Sequence, residues 1–354
     1  MNRIFNQTNG PIGPLDETVM ETIRRLWDRK AKPLGSLGRL EDMVVQLGGI
    51  FGTEHIDISK KAVIVMAADN GVIREGVAQS DAHVTSTVVG NMARGASTVS
   101  ILTQMAGADV FPVDIGMADD LFCPGVLNRK VRRGTDNIAM GPAMSRAEAV
   151  RAMEIGIEIV GMLYKRGYRL IATGEMGIGN TTTSSAMAAV YLGLDAAKVT
   201  GRGAGLDRQG YEKKIQVIRQ AIKKNHPDAN DGLDVLHKVG GLDIAGLTGC
   251  FIGGAIYRVP VVVDGLISAV AALTAVRLAP GCREYMFPSH CSAEPAGRRL
   301  LNALNMTPYI DAGMCLGEGT GAVTAFHLFD TAVTAFYRIP EFEAAHIPAY
   351  KRHS

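Results

Sequence analysis

Hydrophobic positions along the chain fall into two alternating patterns. Leu15 to Arg29 carries apolar residues at Val19, Ile23, Leu26 and Trp27, and Leu40 to Ile50 repeats that three-to-four spacing, so both stretches predict amphipathic helices. Between them, Pro33-Leu-Gly-Ser-Leu-Gly-Arg39 reads as a loop. The pattern then changes. Ala62-Val-Ile-Val-Met-Ala67 is continuously apolar and stops at Asp69-Asn70-Gly71, the mark of a strand buried on both faces. A helical stretch from Val84 to Met105 follows, then a strand at Val110–Asp114, a helix at Arg146–Arg166 and a strand at Arg169–Ala172. Helices are predicted at Thr182–Leu192 and Gln209–Lys224, followed by a turn region from Asn225 to Gly232. The alternation resumes with helix Ile244–Ile256, strand Val259–Val263, helix Leu266–Leu278, a strand near Glu284–Phe287 and helix Ala293–Leu304. A last apolar helix, Gly319 to Tyr337, has no strand after it.

Five such strands separated by helices require right-handed crossovers, which predicts an α/β fold with a doubly wound, mostly parallel sheet. The eight repeating units of a barrel are not found. The helices at the two chain ends are expected to form a small helical domain (1–55 with 305–354) beside a large Rossmann-like α/β domain (56–304).

Composition narrows the function. A net charge of +2, with charged residues only 20% of the chain, leaves no basic block for nucleic acid or an anionic membrane. Aromatics are sparse at 6%, which argues against stacking along a nucleic acid strand. The stretch Leu242–Pro280 is largely apolar, but a membrane reading would put Arg258, Asp264 and Arg277 in or beside lipid at ~2.5–3.5 kcal/mol each. A buried helix, strand and helix is the expectation instead. Five scattered cysteines without a C-x-x-C, and an opening MNRIFNQTNGPIG without an apolar core, point to a cytoplasmic protein. The unusual number is 41 glycines in 354 residues, roughly 12% against ~7% in average proteins. They should mark turns and places where backbone approaches something closely.

In an open α/β sheet, ligands bind beyond the carboxyl ends of the strands. The segments there are Asp69-Asn70-Gly71, Asp114-Ile-Gly116, Gly174-Glu175-Met-Gly177-Ile-Gly179-Asn180-Thr181, Asp264-Gly265 and Ser289-His290-Cys291-Ser292. Gly174–Thr182 opens a helix with glycines and hydroxyls, which suits a phosphate at backbone N–H groups, or equally a glycine-rich turn with a threonine cap. It matches neither the P-loop nor the dinucleotide fingerprint. Thr200-Gly-Arg-Gly-Ala-Gly205 precedes a helix carrying Lys213 and Lys214, either of which could meet a phosphate or simply be solvated. Glu318, between Gly317 and Gly319, could act as a general base toward an N–H or O–H, or could be a first-turn glutamate favoured by the helix dipole. Glu175 has the same two readings. His83 and His290 have no i, i+4 partner, so no metal site is expected.

Five motifs taken together are specific: Pro33-Leu-Gly-Ser-Leu-Gly-Arg-Leu-Glu41, Ala67-Ala-Asp-Asn-Gly-Val72, Gly174-Glu-Met-Gly-Ile-Gly-Asn-Thr-Thr182, Ser292-Ala-Glu-Pro295 and Gly317-Glu-Gly-Thr-Gly-Ala322. In this order, over about residues 15–340, the chain resembles the nicotinate-nucleotide–dimethylbenzimidazole phosphoribosyltransferases. The resemblance implies a step in cobamide (vitamin B12) biosynthesis. The ribosyl phosphate of nicotinate mononucleotide passes to the lower-ligand base, giving an α-riboside phosphate and nicotinate, without metal or cofactor. It implies Glu318 as catalytic base and Glu175 as an auxiliary carboxylate. Family phosphate contacts fall on Gly177, Lys214, Gly265 and Ser292, and Asn180, Thr181, Gly203 and Asp264 are expected to complete the donor site. Gln79, Ser80, His83 and Leu316 are expected to line the acceptor pocket. The family is homodimeric, so a homodimer, or a heterodimer with a paralogue, is expected. The pattern departs at Asp81-Ala82-His83, where family members commonly carry Pro-Gln, at Asn70 in place of His, and at Cys291 in place of Arg. A branch of the family acts on phenol or p-cresol through a two-subunit enzyme. That acceptor, or a non-catalytic nucleotide-binding partner subunit, is the alternative.

Overall fold

The computed structural model describes residues 12–350; residues 1–11, where no secretory signal is expected, and 351–354 lie outside the described residues. Within them the chain forms helices α1 (Glu17–Asp28) and α2 (Arg39–Phe51), strand β1 (Lys61–Ala68), α3 (His83–Ala93), α4 (Thr98–Ala106), β2 (Ala108–Gly116) and β3 (Leu127–Asn128). Then come α5 (Arg146–Lys165), β4 (Leu170–Met176), α6 (Asn180–Leu192), α7 (Arg208–Asn225), α8 (Gly232–Val239) and α9 (Leu242–Tyr257). The chain closes with β5 (Val261–Val263), α10 (Leu266–Leu278), β6 (Met286–Pro288), α11 (Gly297–Ala303) and α12 (Thr320–Arg338).

The strands pair in the order β3-β2-β1-β4-β5-β6, and every pairing is parallel. All eight residues of β1 are buried, which is why Ala62–Ala68 is an unbroken apolar run rather than an alternation, while the buried Lys61 at its start pairs with Asp330. Its side chains alternate between two covered faces. Met66 lies against Gly246 of α9, whereas Val63 lies against Gly319 at the start of α12. The strand order reverses direction between β1 and β4, so a crevice opens at their carboxyl ends. There Gly177 has no room for a Cβ, because one would overlap the carbonyl of Ala68.

Four expectations need correction. The predicted helix from Val84 to Met105 is two helices, broken at Gly95, with Ser97 capping the second by accepting a bond from the Ser100 amide (3.2 Å). A sixth strand, the two-residue β3, adds to the sheet edge beside Val113 and Asp114 and is too short to leave a hydrophobic signature. Helix α8 follows the turn region, capped by Asp231, which accepts from the amides of Leu233 and Asp234. The helix predicted from Ala293 starts only at Gly297, because Ser292–Pro295 is a loop. The apolar stretch 242–280 is indeed helix, strand and helix, almost wholly buried, and no helix among the described residues is long and apolar enough to cross a membrane.

Among the described residues, α1 and the segment after α2 meet α12. The Trp27 ring packs edge-on against Phe336 at 5.1 Å, and the Tyr337 hydroxyl accepts from the Ile56 amide at 2.7 Å. One contiguous core takes in Ile23 and Trp27, the strands, and Phe326 and Phe336 of α12. Part of the glycine surplus serves this core and not the ligand crevice. Helices α5 and α9 pack backbone to backbone, since a Cβ on Gly156 would overlap the Gly246 carbonyl and one on Gly249 would overlap the Met153 carbonyl.

Candidate active site

A cavity of about 350 Å³ opens at the carboxyl ends of β1, β4, β5 and β6. Its polar side chains come from the loop after β1, the turn after β4, the loop before α7 and α7 itself, the ends of β5 and β6, and the turn before α12. Val77, Val84, Val88, Met176, Leu206 and Leu316 supply an apolar wall suited to a flat aromatic ring.

The turn before α12 is unusual. Gly317, Glu318 and Gly319 all have positive φ (89°, 60° and 88°), a left-handed path that costs a glutamate energy and is kept only where surroundings enforce it. They are enforced here by close approach: a Cβ on Gly174 would overlap the Glu318 carbonyl, and one on Gly317 would overlap Glu175 Oε1. Glu318 therefore precedes its own helix instead of sitting in the first turn. Its Oε2 accepts instead from the amide of Val99 (3.2 Å), at the N-terminus of α4. Partial burial raises the Glu318 carboxyl above the usual carboxylate range, with Asp264 adding to the effect.

Beside it lies a buried acid pair. Asn180, at the start of α6, donates one amide hydrogen to Glu175 Oε2 and the other to Asp243 Oδ2 (3.0 Å). Burial pushes Glu175 up to about 8, with Asp243 next in effect, and burial pushes Asp243 up to about 7. At neutral pH this pair accordingly retains a proton. Asp264 is also raised by burial, against the opposing influence of His290, while its Oδ1 accepts from the Ala322 amide at 2.9 Å.

The other side of the cavity is cationic. Lys214 is buried, with Nζ donating to Thr181 Oγ1 at 2.8 Å, and burial lowers it to about 8. Gly203 passes close over this pair, since a Cβ there would crowd Thr181 Oγ1 at 3.0 Å and Lys214 Nζ at 3.4 Å. Arg202 is the second cation on the wall. Lys213 instead points toward Gly76, outside the cavity.

The structure brings together Glu318, Glu175, Gly177, Asn180, Thr181, Gly203, Lys214, Asp264, Gly265, Ser292, Gln79, Ser80 and Leu316, all of which line the cavity. His83 is not among the lining residues. Its side chain is 79% exposed, and Nδ1 lies 3.0 Å from Asp119 Oδ2. Sequence reasoning missed Asp243, the first carboxylate of an otherwise apolar helix, for which the preceding Gly240-Gly241 was the available signal. It named Arg202, His290 and Glu294 only within candidate segments and gave none of them a place in the site, although all three line the cavity.

A family model described as phosphoribosyltransferase matches residues 12–347. The chain is 49% identical over 347 residues to the nicotinate-nucleotide–dimethylbenzimidazole phosphoribosyltransferase of Ruminiclostridium cellulolyticum, covering 98% of this chain and 99% of the relative. It is 49% identical over 345 residues to the enzyme of that name from Acetivibrio thermocellus, with 98% of each chain covered. Among solved structures, CobT from Thermus thermophilus superposes with a TM-score of 0.89 at 37% identity, over 94% of this chain and 100% of that one.

Proposed function

This chain belongs to the nicotinate-nucleotide–dimethylbenzimidazole phosphoribosyltransferase family, and on that premise we propose that it moves the 5-phosphoribosyl group of nicotinate mononucleotide onto a benzimidazole-type base. The products are an α-riboside phosphate and free nicotinate. The C1′–N bond to the pyridinium breaks and leaves neutral ring nitrogen, while a ring nitrogen of the acceptor bonds to C1′. The acceptor's other N–H must then lose its proton.

Glu318 takes that proton. The observation that carries this assignment is its carboxylate, held by a strained turn on the cavity wall and raised above the usual carboxylate range by burial. Glu175, Asp264 and Glu318 surround the region where positive charge develops on the ribosyl group. The proton retained on the Glu175–Asp243 pair limits how much negative charge gathers on this side of the cavity. Gly177, Gly265, Ser292, Thr181, Gly203 and Lys214 hold the donor phosphate and ribose, supported by the helix N-termini and the buried ammonium on that side. Gln79, Ser80 and Leu316 border the acceptor. His83, whose departure from the family pattern is compatible with an altered acceptor or with neutral drift, is exposed beside Asp119. Much of the rate comes from holding two substrates in line, where effective molarity supplies several kcal/mol.

We further propose a cytoplasmic homodimer. Five unpaired cysteines support the compartment, and exposed Ile101 and Met105 on one face of α4 support self-association.

Purified protein mixed with nicotinate mononucleotide and dimethylbenzimidazole should release nicotinate and form the α-riboside phosphate, identified by mass. Benzimidazole, adenine, phenol and p-cresol run in parallel rank the acceptors. Glu318→Gln should slow release by about 10²–10⁴-fold. An unchanged rate in that variant would remove Glu318 from the role.

A further inference from the structure

His290 is buried, lines the cavity and has no close hydrogen-bond partner at either ring nitrogen among the described residues. Nδ1 has none, and Nε2 lies 3.7 Å from Asp264 Oδ1, beyond bonding distance. Buried polar groups in folded proteins are almost always paired, so an imidazole left unspent inside a cavity wall calls for a partner that arrives from outside. The ring is not free to swing away. It lies against Gly321 at the start of α12, where any Cβ would overlap it, and its own backbone is bridged to Ile310.

Its Nε2 faces a defined spot. The position a Cβ on Gly265 would occupy is 3.5 Å from His290 Nε2 and 3.8 Å from Ser292 Oγ. Gly265 caps the N-terminus of α10, thirteen residues long, so unpaired backbone N–H groups converge on the same place. A helix N-terminus, a hydroxyl and an imidazole N–H around one small opening form a recognition site for a tetrahedral oxyanion.

Resting on the phosphoribosyltransferase reading above, we propose that His290 is a specificity-determining residue that donates from Nε2 to the 5′-phosphate of the donor, so that the enzyme distinguishes the nucleotide from its phosphate-free riboside. Asp264 Oδ1 lies 3.7 Å from this same Nε2, and its carboxyl favours the tautomer that carries the proton on that nitrogen. The hydrogen bond is charge-assisted, which sets the size of the effect.

The test pairs variants with donors. Nicotinate release is measured with nicotinate mononucleotide and with nicotinate riboside, the same donor lacking its phosphate, for the wild-type chain, His290→Ala and His290→Gln. His290→Ala should raise KM for the mononucleotide about tenfold to a hundredfold with little change in kcat, and should leave the riboside kinetics unaltered. His290→Gln, which can still present an N–H toward Gly265, should recover most of the loss. Inorganic phosphate should compete with the mononucleotide, and its inhibition constant should weaken in parallel. Thermal melts check each fold, and His290→Leu, closer in volume, replaces the alanine variant if that one fails to fold. Equal penalties on both donors, or no change in KM for the mononucleotide, would overturn the proposal. Wild-type protein that releases no nicotinate overturns the assigned reaction instead. In that case calorimetric binding of inorganic phosphate, lost in His290→Ala and kept in His290→Gln, still decides the role of His290.

Discussion

Two regions of this molecule are built on glycine for opposite reasons. At the α5–α9 interface the absent Cβ is replaced by the neighbouring helix's backbone, so the space is full. At the cavity, the missing Cβ of Gly265 meets no atom beyond its chain neighbours closer than His290 Nε2 at 3.5 Å. The same residue thus serves tight packing in one place and an open ligand seat in the other. Counting glycines cannot separate these uses, and only the identity of the nearest atom does.

Substitution should split the two regions cleanly. The largest expected effect is Gly249→Ala, whose methyl would press on the backbone of α5 and force the helices apart. It should cost about 3 kcal/mol or more of stability, read as a lowered denaturation midpoint at unchanged slope. A midpoint unmoved in that variant would mean that the interface has slack and that the two regions do not differ in this way.

Gly317→Ala should do the reverse. Its left-handed φ costs only about 1 kcal/mol in stability, but the methyl displaces Glu175 and the turn that seats Glu318. Nicotinate release should fall roughly a hundredfold, as expected when a reacting group moves by an ångström. Activity surviving while stability collapses would reverse the assignment of the two regions.

A third test concerns the acid pair. Glu175 is raised from its ordinary value of 4.5 to about 8 in the fold, so between those values the native protein binds more protons than the unfolded chain. Its contribution to stability therefore falls as pH rises through that window. Glu175→Gln removes this slope. The variant should match wild type near pH 5 and become progressively more stable than wild type toward pH 8, measured by denaturant titration at each pH. Parallel pH profiles would show that Glu175 ionises normally. The smallest effect is the control, Gly141→Ala. With no atom within 4 Å of its missing Cβ and no left-handed φ, it should leave stability within about 0.5 kcal/mol and activity unchanged.

Much of the fold could be read in advance because strands buried on both faces leave continuous apolar runs, and the runs of β1, β2, β4 and β5 end beside Asp or Gly at the carboxyl edge. That edge is where the cavity lies, so Glu175, Gly177, Asp264 and Ser292 were within reach of sequence reasoning. The break between α3 and α4 was signalled by Gly95 and Ser97 but overridden by the apolar pattern around it. β3 left no signal, because two residues at a sheet edge bury too little to require one. His83 was misplaced because its motif position says nothing about which way a side chain leaves the first turn of α3; here it turns to solvent and Asp119.

The sequence by itself determined the periodicity, hence the layered parallel sheet, and the ordered motifs that place the chain in its family. Tertiary structure decided which acids meet and in what protonation state. Asp243 and Glu175 lie on different elements and are joined only through Asn180, and the cost of burying two carboxyl groups together raises both. It also decided that His290 stays unspent beside Gly265. The physical reason is that hydrophobic period is a local property of the chain, whereas desolvation and charge proximity exist only once distant segments have packed.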